Sequence, residues 1–124
     1  MENKRILIFD DDRHVLEIFT IVLEDMGHIV EQCQTSHDVL EKVERFQPDL
    51  ILMDNWIPDI GGVAATQILK SNPQYRDIPV ILVSANSDIE DLAATAKADG
   101  FLSKPFDLDS LEGIVNETFQ DKIK

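Results

Sequence analysis

The chain has a single cysteine, Cys33, among 124 residues, so no internal disulfide can staple it and no second thiolate stands at metal-site spacing. Cys33 reads as buried core in a reducing, cytoplasmic setting. Basic residues are also scarce: 11 Lys and Arg face 24 Asp and Glu, for a net charge of -13. Such an excess repels nucleic acid and anionic membrane surfaces, which argues against direct contact with either. Five glycines and five prolines are too few for a low-complexity tract, and a 44% hydrophobic fraction argues against disorder. No long apolar run exists. The one behind Lys4 and Arg5 stops at Phe9 before three aspartates, too short for a signal peptide or a membrane span. What these absences leave is one globular domain over residues 1–124, long enough to bury a real core.

What is present is a set of short apolar runs, each ending on a polar group. Leu50-Ile51-Leu52-Met53 suits a strand buried on both faces, and Asp54 emerges where it leaves the core. The turn formers from Asn55 to Gly62 cannot extend that strand. Arg5 to Asp10 is a similar first strand, discharging into Asp10, Asp11 and Asp12. Ile29 to Cys33 makes a second, Pro79 to Ser84 a fourth ending on a hydroxyl, and Gly100 to Ser103 a fifth followed by Lys104-Pro105.

Helical spacing fills the intervals. Val15, Leu16, Phe19, Val22, Leu23 and Met26 mark the first helix, which Gly27 ends. Ser36 is placed to cap a second helix bearing Val39, Leu40, Val43 and Phe46, and Pro48 halts it. Gly62 to Ser71 forms a third, with Val63, Ile68 and Leu69 apolar. Ser87 with Glu90 has the spacing of a capping box for a fourth helix carrying Ile89, Leu92, Ala93 and Ala96. Asp107 opens a fifth, with Leu108, Leu111, Ile114, Val115 and Phe119 inside and Lys122 and Lys124 near its negative end.

Strands and helices in alternation give an α/β fold: an open parallel five-stranded sheet with helices on both faces. In the flavodoxin-like order 2-1-3-4-5, ligands bind beyond the strand ends where the winding reverses, between strands one and three. Those two strands end in Asp10-Asp11 and Asp54, and strands four and five add Ser84 and Lys104 to the same rim. Crowded carboxylates repel, and a hard cation removes the conflict; Mg²⁺ takes one or two carboxylates plus waters and phosphate oxygens. A carboxylate beside such a cation can act as nucleophile toward phosphorus, with a lysine and a hydroxyl steadying the transferred group. Taken singly, each residue has an ordinary reading: Asp54 a loop aspartate, Lys104 a solvated lysine, Ser84 a turn residue, Asp12 a helix cap. Their convergence carries the signal.

Nearly the whole chain resembles the receiver domain of two-component response regulators. The residues concerned are Asp10-Asp11 after an apolar strand, Asp54 with Pro58 and Gly62 behind it, Ser84-Ala85, and Lys104-Pro105-Phe106. The resemblance implies a bacterial phosphorelay switch, either of the stand-alone type or cut from a longer regulator or hybrid kinase, in which Asp54 accepts a phosphoryl group from a histidine kinase or a histidine phosphotransfer protein. Asp10, Asp11, Asp54 and the Trp56 backbone carbonyl would hold Mg²⁺. Ser84 and Lys104 would contact the phosphoryl oxygens, Ser84 and Phe101 would form the switch pair, and Lys104-Pro105 would be cis. Output would pass to a protein target through the face from the fourth helix to the fifth, the chain being a monomer or a weak phosphorylation-dependent dimer. It would catalyse only its own phosphorylation and dephosphorylation.

Several positions depart from the family pattern. Ser84 stands where threonine is frequent, Phe101 lacks a tyrosine hydroxyl, Asn55 replaces an aliphatic residue and Trp56 is bulky, with scope to shield an acyl phosphate from water. The span from Ser84 to Lys104 is slightly short, placing the loss near the fourth helix. Two alternatives remain at this level. Asp10-x-Asp12 also resembles the nucleophile motif of haloacid-dehalogenase-type phosphatases, and a degenerate receiver could serve only as a binding module.

Overall fold

Five short runs become β1 (Arg5–Phe9), β2 (Ile29–Cys33), β3 (Leu50–Asp54), β4 (Val80–Ser84) and β5 (Gly100–Ser103), all parallel and ordered β2-β1-β3-β4-β5. The computed structural model describes residues 4–123, with side chains through Gln120, so the charges of Lys122 and Lys124 fall outside the description. The helices are α1 (Arg13–Asp25), α2 (Val39–Phe46), α3 (Gly62–Lys70), α4 (Ile89–Ala96) and α5 (Leu108–Ile123).

Every residue of the central strands β3 and β4 is buried, because helices cover both faces of a parallel sheet. Leu7, Phe9, Ile51, Met53 and Leu82 point to one side and pack with Val39, Val43, Leu69, Ile89 and Ala93 from α2, α3 and α4. Ile6, Ile8, Leu52, Ile81 and Val83 point to the other and meet Leu16, Phe19, Leu23, Leu111, Val115 and Phe119 from α1 and α5. Alternation along each strand therefore builds the two core layers. Cys33 closes one of them, and burial pushes its thiol up to about 11, which makes it inert. Among the described residues no helix is long and apolar enough to cross a membrane.

Four local expectations fail for tertiary reasons. Ser36 does not cap α2. That helix starts after Asp38, left-handed at φ 55° and making no side-chain cap bond, while the Ser36 hydroxyl donates to the Pro58 carbonyl and accepts from the Ile60 amide. The Ser87–Glu90 box is not formed either: α4 begins after Asp88 without a side-chain cap, and the Asn86 side chain takes the Asp88 amide instead. On α3 the inward positions are Ala65, Thr66 and Leu69, with Ile68 39% exposed. Leu108 is 53% exposed, since it sits in the first turn of α5 before the helix settles onto the sheet. Asp107 does open α5, its carboxylate accepting the Ser110 amide at 2.7 Å.

Candidate functional site

Parallel register brings the carboxyl ends of the strands to one edge, and β1 lies between β2 and β3. The crevice therefore opens where the chain winds away from β1 in both directions. Asp10 follows β1 and Asp54 ends β3; they are 1% and 5% exposed, whereas the neighbouring Asp11 faces solvent. One carboxylate oxygen from each of Asp10, Asp11 and Asp54 lies within 4.8 Å of the others. Lys104, after β5, reaches across the rim: its ammonium donates to Asp54 Oδ1 at 2.7 Å and to Asp10 Oδ2 at 3.1 Å. The Lys104–Pro105 peptide is cis.

Each carboxylate is also fixed by backbone. The Trp56 amide donates to Asp54 Oδ2 at 2.9 Å, and the Asp12 amide to Asp10 Oδ1 at 2.9 Å. Ser84, 2% exposed at the end of β4, accepts the Asn86 amide through Oγ at 3.0 Å, and its carbonyl takes the Lys104 amide at 2.8 Å. Gly62 begins α3 directly beneath this loop. A Cβ there would overlap the Asp54 carbonyl oxygen and lie 2.9 Å from Asn55 Cα, so only glycine lets the helix approach the strand end this closely.

The electrostatics follow from two buried acids sharing one ammonium, with a third acid beside them. Burial pushes the Asp54 carboxyl up to about 6, Asp10 adds to the rise, and the bonds from Lys104 and the Trp56 amide hold it down only in part. For Lys104 burial works against the charge, yet its bonds to Asp54 and Asp10 win and raise it above the ordinary lysine value. The cluster thus carries more negative charge than its own residues neutralise. Its donor set is all oxygen, hard and anionic, which fits a magnesium-type cation.

Of the residues singled out by sequence, Asp10, Asp11, Asp54 and Lys104 come together, with the Trp56 backbone at their side. Phe101 does not join them; its ring is 37% exposed on the outer face of β5. The Trp56 indole is 78% exposed, so it is not folded down over Asp54, and it borders a cleft of about 490 Å³ beside Asp11. Asp12 serves as the N-cap of α1, accepting the His14 amide at 2.9 Å and the Val15 amide at 3.4 Å. That employment removes it from the pocket and leaves the phosphatase motif without its second acid. α4 is eight residues long, the same length as α2. Two contributors were not legible as such: the Asn86 amide at Ser84 and the Ser36 tie to the loop after Asp54, both tertiary consequences of loop shape.

Comparison with known proteins bears on this arrangement. The chain is 34% identical over 111 residues to the CAI-1 autoinducer sensor kinase/phosphatase CqsS of Vibrio cholerae, covering 87% of this chain and 16% of the relative. It is 34% identical over 109 residues to the DNA-binding dual master transcriptional regulator RpaA of Synechocystis, covering 86% and 45%. It therefore spans less than half the length of both relatives. Among solved structures, the receiver domain of a Pseudomonas aeruginosa sensor histidine kinase, with magnesium coordinated in its active-site cleft, superposes at a TM-score of 0.84 with 25% identity, covering 94% of this chain and 97% of that one. No comparison supports the phosphatase reading. With residues 6–116 matching the response regulator receiver domain, the chain belongs to that family, the phosphorylation-switched domains of two-component signalling.

Proposed function

We propose that Asp54 is the phosphoacceptor of a two-component relay, taking its phosphoryl group from a histidine of a sensor kinase or of a phosphotransfer protein. The observation that carries this reading is the Lys104 ammonium held 2.7 Å from Asp54 Oδ1 and 3.1 Å from Asp10 Oδ2, inside a cluster of three acids. A lysine so placed has given up most of its freedom in advance and stands ready to take a phosphoryl oxygen. In the transfer, a carboxylate oxygen of Asp54 forms the new P–O bond as the P–N bond to the donor histidine breaks. The domain supplies position and charge and lends itself as the substrate; receiver domains are signalling modules, and its catalysis extends only to its own phosphorylation and hydrolysis.

Asp10, Asp11, Asp54 and the Trp56 carbonyl would hold Mg²⁺, which when bound neutralises charge on the transferring phosphoryl oxygens. Ser84 would offer its hydroxyl from the end of β4, the strand paired with β3. Phosphorylation adds roughly -1.5 to -2 charges, and it favours a second arrangement only through contacts that differ between states. Ser84 moving toward the phosphoryl oxygens and Phe101 turning inward into the space it leaves is such a difference. The signal then passes to a protein target through the α4 to α5 face. An apolar groove of about 620 Å³ beside Lys104, lined by Val15, Ile18, Pro105, Phe106 and Leu108, gives the phosphodonor a place to rest.

The test is incubation with acetyl phosphate, with and without Mg²⁺, read by intact mass. Wild type gains one phosphoryl group only with Mg²⁺, and Asp54→Asn gains none. A label that persists in Asp54→Asn, or a wild type that never takes one, overturns the reading.

A further inference from the structure

Ser36 lies in the loop between β2 and α2, away from the acids and the lysine, yet its side chain is 1% exposed. Its hydroxyl donates to the Pro58 carbonyl at 2.9 Å and accepts the Ile60 amide at 3.0 Å, and its own amide donates to the same Pro58 carbonyl at 3.0 Å. Three hydrogen bonds thus join this loop to the segment between Asp54 and α3. That segment needs outside support. It contains positive φ at Asp59 (91°) and Gly61 (81°) and carries an exposed indole; it is also held by Ile57 in the core, by the Gly62 amide bonded to Asn55, and by an exposed contact of 3.7 Å between His37 Nδ1 and Asp59 Oδ2. The Trp56 amide at one end of the segment orients the Asp54 carboxylate. The supporting loop is itself braced, because Lys42 Nζ donates to the Thr35 carbonyl at 3.1 Å and the Thr35 hydroxyl accepts the His37 amide at 3.2 Å.

We propose that Ser36 is a positioning residue for phosphoryl transfer: by clamping Pro58 and Ile60 it holds the Trp56 peptide against Asp54 and sets the direction in which that carboxylate meets the phosphorus. This rests on the assignment of Asp54 as acceptor. A serine suits the place because one small group both donates and accepts within a closed space, which alanine cannot do and threonine can. The Ser36 hydroxyl touches neither the reacting atoms nor the acidic cluster; its action runs entirely through the loop.

Ser36→Ala, Ser36→Cys and Ser36→Thr in the full chain test this, alongside Val43→Ala, a core truncation in α2 matched for lost stability. Cysteine fills the space with a poor donor and acceptor, so it stays informative should alanine fail to fold. The readouts are the acetyl phosphate labelling rate, the Mg²⁺ concentration giving half of the Trp56 fluorescence change, and the urea midpoint. Ser36→Ala and Ser36→Cys should label roughly 10-fold more slowly and need more Mg²⁺, Ser36→Thr should return close to wild type, and Val43→Ala should label normally despite its lower midpoint. Wild-type labelling in both Ser36→Ala and Ser36→Cys, or equal slowing in Val43→Ala, overturns the positioning role. A wild type that takes no label overturns instead the assignment of Asp54, on which the role depends.

Discussion

The two ends of the sheet treat charge in opposite ways. At the amino ends of the strands Arg5, Lys70 and Asp99 each have several partners. Lys70 Nζ, 9% exposed, donates to Asp99 Oδ2 at 2.6 Å and to the Arg76 and Ile78 carbonyls, while Asp99 also accepts the Val80 amide. Arg5 gives its Nε–H to the Phe46 carbonyl and stacks its guanidinium 4.3 Å from the Phe46 ring centre. At the carboxyl ends Asp10 and Asp54 share Lys104, with the Asp11 carboxylate crowded beside them. The first arrangement suits folding and the second suits a ligand. A balanced network gains nothing from an incoming ion, whereas a crowded one gains whatever repulsion the ion relieves.

That contrast can be broken most forcefully at the quiet end. Lys70→Met should cost about 2–3 kcal/mol, because it strips a buried ammonium from two carbonyls and Asp99. Acetyl phosphate labelling of the folded fraction should be unchanged. Urea unfolding beside a labelling assay checks both halves, and a labelling defect would mean that the two ends are not separable.

At the crowded end the expected effect is smaller and opposite in sign. Asp54→Asn should stabilise the Mg²⁺-free protein at pH 7.5 by about 1–2 kcal/mol, since it removes a carboxylate held at about 6 in the fold against about 3.9 unfolded. A folded value above the unfolded one means that stability is intact below about pH 4 and lost as pH rises through about 6. The advantage of Asp54→Asn should therefore vanish near pH 4. Thermal melts across that window in a chelator decide it, and an asparagine variant less stable at pH 7.5 would contradict the picture of unrelieved repulsion.

The smallest effect belongs to His28, at the turn into β2. Burial, helped by the Lys4 charge, lowers its imidazole below the ordinary value, and its ring lies 5.4 Å from that of Phe119. A depressed base is fully tolerated above about pH 6.5 and costs stability as pH falls below it. His28→Gln should lose part of that acid sensitivity. Melting temperatures at pH 7.5 and 5.5 measure the change, and an identical drop in both proteins would place the acid sensitivity elsewhere.

These opposed ends were unequally legible. The run Leu50 to Met53 could hardly be anything but a buried strand, and a carboxylate at its end had to emerge at the rim; topology then assembled Asp10, Asp11, Asp54 and Lys104 from three chain segments. What sequence could not supply were contacts decided by two loops at once. Ser36 had the spacing of a helix cap, but the left-handed turn at Asp38 detached it from α2 and Pro58 offered a carbonyl in its place. Ser87 and Glu90 fit a capping rule that the Asn86 turn overrides. Ile68 and Leu108 are apolar at helical spacing, yet periodicity marks a stripe without saying where its edge lies, and both fall beyond it.

Gly62 places a narrow limit on redesign. Because its missing side chain is what lets α3 sit against the carbonyl of Asp54, the outer surface of that helix can be recoded for new recognition only from Val63 onward. Any larger residue at its first position would lever the helix off the sheet and tilt the Asp54 peptide with it.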